Sequence, residues 1–193
     1  KRDGWYRVGP LGRLNNCDYI PTPLAQKEFE EFRAYTDGKP NPMCLHTHWA
    51  RLIEILHAAE MMRELLHDPD LQGTDLVTSG EKQHEGIGLL EAPRGTLFHH
   101  FRINDYDQIT MCNLIVATTN NNEPMNQAVN YVAKSQLTGA AEITEPMLNA
   151  IEVAIRAYDP CLSCATHALG QMPLEVSLVD GAGNTLDSRT RDG

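Results

Sequence analysis

Residues 159–176 read DPCLSCATHALGQMPLEV and set the end of the last long helical pattern in the sequence. Pro160 has no backbone N–H and disfavours helical geometry at the residue before it, so the preceding helix must end there. Two cysteines and a histidine follow at equal steps of three: Cys161, Cys164 and His167. The sequence therefore predicts a cluster of candidate metal ligands on a turn that a rigid helix holds in place.

The rest of the sequence predicts a mainly α-helical fold of the α+β class with a small β-hairpin. Apolar residues recur at helical spacing over residues 47–67, 123–134 and 144–158. Another helix is expected to begin at Pro23, because proline suits the first helical position, with the Thr22 side chain as its cap.

Other stretches are predicted to be extended or irregular. Residues 96–102 and 109–118 are rich in β-forming residues on either side of a turn rich in Asn and Asp, which predicts a β-hairpin. Residues 174–189 alternate apolar and polar residues around DGAGN, which predicts a second, small hairpin near the end. Residues 1–21 and 68–95 are interrupted by glycine and proline, and we expect them to be irregular.

Composition excludes several classes of protein. The 193 residues are enough for one domain with a hydrophobic core. A formal charge of −10 without basic runs makes nucleic acid a poor partner. No run reaches the roughly 18 to 20 apolar residues of a membrane span, and no signal peptide is evident, so we expect a cytoplasmic protein. Because the first residue is Lys1 and not Met, we expect a piece of a longer polypeptide.

The cysteine cluster by itself admits several interpretations. Thiolates bind soft or borderline metals such as nickel, iron or zinc, but a closed zinc site needs four ligands and no second C-x2-C is present. A thioredoxin-like pair stands at a helix start, where the helix dipole stabilises a thiolate, whereas this pair follows a helix end. On the residues alone, three alternatives stay open: an unreactive cysteine pair, a thiol redox sensor using Cys161 and Cys164, and a non-catalytic metal- or partner-binding module.

Two further stretches contain candidate ligands or binding groups. Arg94 lies between a proline and a glycine, and its guanidinium offers a permanent charge and five donors to an anion or cofactor. An ordinary salt bridge is the alternative for this arginine. Cys44, His46 and His48 form a C-x-H-x-H pattern, for which we expect packing or surface roles above metal ligation. Cys112, in the predicted hairpin, is expected to pack.

Three motifs in this order together resemble the large subunit of nickel-iron hydrogenases: VGPLGR at residues 8–13, EAPRGTL at 91–97 and DPCLSCATH at 159–167. The form DPCLSCATHALG, with NNCDYIPTPLAQ at 15–26 and HWARLIEIL at 48–56, is most similar to the cytoplasmic bidirectional group that couples hydrogen to nicotinamide nucleotides. The likeness covers essentially the whole chain, but only the C-terminal half of such a subunit.

The resemblance implies a nickel-iron centre with CO and cyanide ligands on iron. Cys161 is implied to be a terminal nickel ligand and the first proton acceptor, and Cys164 to bridge nickel and iron. Arg94 is implied to lie over the open bridging position, where Asp159 helps to hold it.

The resemblance also implies contacts around the iron and a second metal ion. Pro93 is implied to lie beside the diatomic ligands, and the Thr118 hydroxyl to donate a hydrogen bond to an iron-bound cyanide. A bond to local backbone is the alternative for Thr118. His167 is implied to bind Mg²⁺ or another divalent ion, with the Leu114 carbonyl as a weaker candidate ligand.

The residues after the cluster have an implied role in maturation. Members of this family are made as precursors, and an endopeptidase that checks for nickel cuts after the motif, here between His167 and Ala168. Residues 1–167 are then the C-terminal portion of the large subunit, and residues 168–193 are an extension removed on maturation. Nickel-insertion proteins and the endopeptidase are the implied partners in this step.

The implied activity is the reversible oxidation of H2 to protons and electrons, coupled to NAD(P). The implied partners are the N-terminal half of the large subunit, NAD-reducing flavin subunits and an iron-sulfur small subunit. Because Cys17, Cys44 and Cys112 each stand alone, the other two nickel sulfurs must come from the N-terminal half. We therefore expect the isolated chain to be inactive.

Overall fold

The computed structural model describes residues 4–162 and 173–191. These residues form six α-helices, one short 3-10 helix and two antiparallel sheets, which confirms the expected α+β class. The chain divides into a central unit, Val8–Ile115, and a terminal unit composed of Lys1–Arg7 and Val116–Gly193. Within the described ranges, no helix combines the length and the apolar character needed to cross a bilayer.

Three helices form the core of the central unit: α1 (Pro10–Asn16), α2 (Pro23–Ala34) and α3 (His46–Leu65). Their inward apolar side chains leave water together, which is the main source of stability for such a unit. This hydrophobic cluster consists of Leu11, Leu14, Ile20, Ala25, Phe29, Phe32, Ala50 and Ile53. The predicted helices at residues 23 and 47–67 are thus confirmed as α2 and α3.

A three-stranded antiparallel sheet completes the central unit. Its strands are β1 (Glu85–Ala92), β2 (Gly95–Ile103) and β3 (Ile109–Ile115), in the order β1-β2-β3. The predicted hairpin is confirmed as β2 and β3, although β3 ends three residues before Thr118. A 3-10 helix, Pro69–Gln72, precedes the sheet.

Two predictions of irregular structure were wrong. Residues 1–21 contain α1, which has only seven residues, too few for its helical period to be detected. Residues 68–95 contain β1, in which seven of eight residues are exposed. A strand that is exposed on both faces has no apolar alternation, so its sequence looks like a loop.

The terminal unit contains three helices and a hairpin: α4 (Ala117–Asn120), α5 (Asn122–Leu137), α6 (Glu145–Arg156), β4 (Leu174–Val179) and β5 (Thr185–Arg191). The predicted α5, α6 and terminal hairpin are therefore confirmed. Leu148, Ile151 and Ala154 are the buried residues of α6, which packs against α5. Near the end of α6, the Tyr158 hydroxyl donates to the Pro124 carbonyl at 3.0 Å.

Polar contacts hold the terminal hairpin against the start and one face of α6. The Asp187 carboxylate accepts a hydrogen bond from the Ile143 amide at 2.8 Å. Arg191 donates to Glu152 at 2.8 Å and forms an ion pair with Glu145. The bond from Ile143 lowers the pKa of Asp187, and the bond to Glu152 raises the pKa of Arg191, so both groups are held in their charged forms.

The start of α2 is capped by a side chain from α3, and not by Thr22 as predicted. The Glu60 carboxylate accepts hydrogen bonds from the Leu24 and Ala25 amides at 3.1 and 2.9 Å. The Thr22 hydroxyl lies 2.9 Å from His57 Nδ1. Desolvation alone would raise the pKa of Glu60, but hydrogen bonds from Ala25, Leu24 and Thr22 outweigh it and lower the pKa. A buried carboxylate thus satisfies the first amides of α2.

We expect Glu60→Gln to lower the melting temperature by several degrees at pH 7, because a neutral amide is a weaker acceptor for the two α2 amides. Since the folded-state pKa of Glu60 is lowered, its stabilisation is complete above the ordinary glutamate pKa, about 4.3, and is lost as the pH falls through the folded-state pKa. Thermal unfolding at several pH values should therefore show a difference between wild type and variant that shrinks below about pH 4.

Glu64→Gln is the matched control, because Glu64 is an exposed residue of the same helix. An equal loss in both variants, or a Glu60→Gln difference that does not change with pH, would contradict the capping role.

Candidate metal centre

Arg94 lies at the tip of a tight turn between two strands of the central unit. Ala92 of β1 pairs with Gly95 of β2, so Pro93 and Arg94 form a two-residue hairpin turn. Proline restricts φ at the first position of this turn. The EAPRG segment therefore presents Arg94 on a short turn between two strands, and not at the end of an irregular segment over residues 68–95 as we expected.

The turn is packed closely against the VGPLGR segment. A Cβ on Gly95, whose φ is +133°, would lie 2.4 Å from Val8 Cγ2 and 2.8 Å from the Gly9 nitrogen. A Cβ on Gly9, whose φ is +98°, would lie 2.7 Å from the Arg94 carbonyl oxygen. Both positions therefore need glycine, for conformation and for space. Two of the three motifs lie backbone against backbone.

Arg13, the last residue of VGPLGR, uses all three guanidinium nitrogens as donors. They bind Glu54 and the residues that lead into this turn. Its Nε and Nη2 donate to the Glu54 carboxylate at 2.6 and 2.7 Å. Its Nη1 donates to the Glu91 carboxylate at 2.6 Å and to the Ala92 carbonyl at 2.8 Å. Its Nη2 also donates to the Pro93 carbonyl at 2.8 Å. These five hydrogen bonds match the five N–H donors of an arginine.

The charges of this cluster favour the observed arrangement. Desolvation of Arg13 by itself would lower its pKa, but the hydrogen bonds and charges of Glu54 and Glu91 outweigh it and raise the pKa. The second oxygen of Glu91 accepts a hydrogen bond from the Thr96 hydroxyl at 2.6 Å. Sequence reasoning missed this role of Arg13, because its partners Glu54 and Glu91 lie 41 and 78 residues away.

In the terminal unit, the structure brings Cys161 and Thr118 together. Asp159 follows α6 with a φ of +49°, a left-handed conformation that turns the chain away from the helix. The Cys161 amide then donates to the Thr118 hydroxyl oxygen at 3.1 Å. Thr118 is buried on α4. A hydroxyl that accepts through its oxygen keeps its hydrogen for a second bond, so Thr118 can still act as a donor.

The described part of the site has the groups needed for one cysteine ligand of a nickel-iron centre. It contains the half-buried Cys161 and the hydroxyl that holds the Cys161 backbone. A metal binds the thiolate form of cysteine, so Cys161 must be reduced and deprotonated to act as a ligand. Residues 4–162 and 173–191 contain no group of three or more His, Cys, Asp or Glu arranged to hold a metal ion.

The other predicted site residues are distributed between the two units. Pro93 and Arg94 belong to the central unit, as does Leu114, which lies on β3 opposite His99. Asp159 belongs to the terminal unit with Cys161 and Thr118. The remaining predicted residues lie outside the described ranges: Cys164, His167 and Ala168.

Of the three C-x-H-x-H residues, His46 packs against two aromatic rings. His46 makes edge-to-face contacts with Tyr35 and Trp49, at centroid distances of 4.8 and 5.6 Å. Its Nδ1 lies 2.7 Å from Asn41 Nδ2. His48 is exposed. Cys112 is also exposed, so the prediction that it packs was wrong.

Comparison with known proteins agrees with the motifs. Residues 4–167 match the family described as nickel-dependent hydrogenase. The chain is 60% identical, over 99% of its length, to the beta subunit of the NAD-reducing hydrogenase HoxS of Cupriavidus necator, and it covers 40% of that protein. It is 46% identical, over 91% of its length, to a vhc subunit of the F420-non-reducing hydrogenase of Methanococcus voltae, and it covers 37% of that protein.

A solved structure has the same fold. The crystal structure of an NAD+-reducing nickel-iron hydrogenase in the H2-reduced state aligns with a TM-score of 0.79 and 53% identity, over 86% of this chain and 37% of that one. This chain thus spans about two fifths of the length of the relatives that it matches. Because the family match extends over most of the chain and includes all three motifs, the chain belongs to the nickel-dependent hydrogenase family.

Proposed function

We propose that this chain is part of the catalytic subunit of a nickel-iron hydrogenase that oxidises H2 reversibly to protons and electrons and passes the electrons to NAD(P). The observation that carries this proposal is the contact between the Cys161 amide and the buried Thr118 hydroxyl, at 3.1 Å. Cys161, the first cysteine of the C-x2-C motif, is thereby next to a hydroxyl able to donate. The 60% identity to an NAD-reducing hydrogenase subunit supports the choice of electron acceptor.

Cys161 and Cys164 are proposed as two of the four sulfurs that hold the nickel and iron. When bound, the centre supplies the Lewis-acid and redox chemistry that splits H2 heterolytically. The Cys161 sulfur is proposed to take the first proton, because it is the terminal thiolate. The Thr118 hydroxyl would donate a hydrogen bond to a cyanide on iron, since a buried anionic ligand needs a donor. CO is the other proposed diatomic ligand.

Arg94 and Pro93 are proposed to cover this centre in the assembled enzyme. A guanidinium stays protonated at any ordinary pH, so Arg94 acts by its charge and its donors and not as a base. Asp159 is proposed to help hold Arg94 in place. Pro93 would help to exclude water from the diatomic ligands on iron. The tight turn that carries both residues supports this assignment, because a short turn can hold a side chain in one place.

The complete enzyme needs partners for its remaining sulfurs and its electron path. We propose the N-terminal half of the large subunit, NAD-reducing flavin subunits and an iron-sulfur small subunit, in the cytoplasm. β1, at the edge of the sheet, exposes Ile87, Leu89 and Leu90 to 73%, 66% and 60%. Exposed apolar edge strands are normally covered in natural proteins, which supports a partner on this strand, namely the rest of the large subunit.

Residues 168–193 are proposed to be an extension that an endopeptidase removes, after nickel insertion, by a cut between His167 and Ala168. The family match ends at residue 167, which supports this boundary. The contacts of Asp187 and Arg191 with α6 and the residues before it give the extension a definite docking place until it is cut. His167 is proposed to bind Mg²⁺ or another divalent ion with the Leu114 carbonyl.

A thiol redox sensor is the second candidate, because Cys161 and Cys164 form a C-x2-C pair that can be oxidised to a disulfide. The two functions differ in their need for nickel. A sensor needs only reversible oxidation of Cys161, whereas the hydrogenase needs reduced thiolates that hold a metal.

We expect Arg94→Lys to lower the rate of H2 oxidation by about a hundredfold in the assembled enzyme, because a lysine loses the planar fork of donors. Nickel content should stay unchanged, because Arg94 is not a ligand. Arg102→Lys is the matched control, since Arg102 pairs with Glu85 in the same sheet, outside the proposed site. Full activity of a folded, nickel-loaded Arg94→Lys enzyme would contradict the role of Arg94.

The chain produced alone is expected to hold no nickel-iron centre and to take up no H2, because it supplies only two of the four sulfurs. Metal analysis and H2 uptake should both become positive when the full large subunit is coexpressed with its partners and nickel-insertion proteins. H2 uptake by the isolated chain would disprove the shared centre. Reversible oxidation of the Cys161 thiol without any metal in the complete subunit would instead favour the redox sensor.

Cleavage after His167 should depend on nickel. Mass spectrometry of the large subunit is expected to find residues 168–193 in cells starved of nickel and to find them missing when nickel is supplied. Retention of residues 168–193 in a fully active, metal-loaded enzyme would contradict this prediction.

A further inference from the structure

We infer that Arg13 is a positioning residue for Arg94. The inference rests on the proposed function of Arg94 at the metal centre. Arg13 lies on α1 and binds, in sequence order, the Glu91 side chain, the Ala92 carbonyl and the Pro93 carbonyl. These are the three residues that lead directly into Arg94, so one guanidinium sets the path of the backbone that presents it.

Arg13 can do this because it is itself held from the opposite side. The Glu54 carboxylate on α3 accepts two parallel hydrogen bonds, from Nε and Nη2 of Arg13, at 2.6 and 2.7 Å. Such a paired contact fixes the plane of the guanidinium and not only its position. The plane then directs the remaining donors at the turn. A lysine has three donors around one nitrogen and no plane, so it cannot reproduce the arrangement.

Within this chain, burial of apolar side chains contributes little to holding this turn. Nearly every residue of β1 is exposed, and Pro93 and Arg94 are exposed as well. A hairpin with few buried apolar contacts opens easily unless polar contacts restrain it. The Arg13 cluster and the close contact of Gly9 with the Arg94 carbonyl provide that restraint. Because a shift of about 1 Å at a positioned group can lower a rate by about a hundredfold, a looser turn should slow the reaction.

Four variants of the complete, assembled enzyme test the inference: Arg13→Lys, Arg94→Lys, the double variant and the control Arg102→Lys. We expect Arg13→Lys to lower the rate of H2 oxidation by about ten- to a hundredfold, with nickel content unchanged. Its effect should vanish in the Arg94→Lys background, because Arg13 acts through Arg94. A general structural role would instead multiply the two losses.

Amide hydrogen exchange gives a readout that does not depend on activity. Arg13→Lys is expected to speed exchange of the Arg94 and Gly95 amides, with no change in β3, whereas Arg102→Lys leaves the turn as it is. Multiplied losses in the double variant, or an unchanged exchange rate at the turn, would overturn the inference.

Glu91→Gln keeps the inference testable if Arg13→Lys fails to fold. It removes one charge from the cluster and leaves Arg13 and Glu54 in place. We expect a several-fold loss of rate that again disappears in the Arg94→Lys background, and full activity of folded Glu91→Gln would count against Arg13. If Arg94→Lys itself keeps full activity, the proposed function of Arg94 fails, and the exchange rates still decide whether Arg13 holds the turn.

Discussion

The position of the turn that carries Arg94 depends on one half-buried positive charge. Arg13 links α1 to Glu54 on α3 and to the end of β1, and its charge is balanced by Glu54 and Glu91. Removing one member of such a cluster leaves the others partly desolvated and unpaired. The resulting loss of stability is larger than the net stabilisation that the intact contact provides. The position of the turn between β1 and β2 is therefore set by a residue some 80 positions earlier in the chain.

The glycines beside this cluster also fix the position of the turn, through close backbone packing and not through charge. Gly9 and Gly95 let the VGPLGR and EAPRG backbones approach to distances that any side chain would prevent. Charge and close packing therefore fix the same turn independently. This double restraint suits the role proposed for Arg94, because a mobile catalytic group loses the advantage of orientation.

In the terminal unit, too, a few polar contacts position the proposed site residue and the hairpin. One buried hydroxyl on α4 holds the backbone of Cys161, 43 residues away, just after the chain leaves α6 through the left-handed Asp159. The hairpin of β4 and β5 is attached to that same helix and to the residues before it by Arg191 and Asp187. Helix α6 thus carries the first cysteine of the motif just beyond its end and the proposed removable extension on its side.

The long helices α2, α3, α5 and α6 could be predicted from the sequence alone, because each is long enough to repeat an apolar face several times. The family could be predicted too, through the resemblance of three motifs that occur in order along the chain. Neither α1 nor β1 could be predicted, since a seven-residue helix and an exposed strand have no detectable period.

Contacts between distant residues became visible only in the folded chain. The cap that Glu60 provides for α2, the bonds of Arg13 to Glu54 and Glu91, and the bond of Thr118 to Cys161 all join residues that lie more than 30 positions apart. Local propensity acts over a few residues and cannot select such partners. They are selected by the packing of elements around a core, which brings one particular carboxylate or hydroxyl within 3.1 Å of its donor.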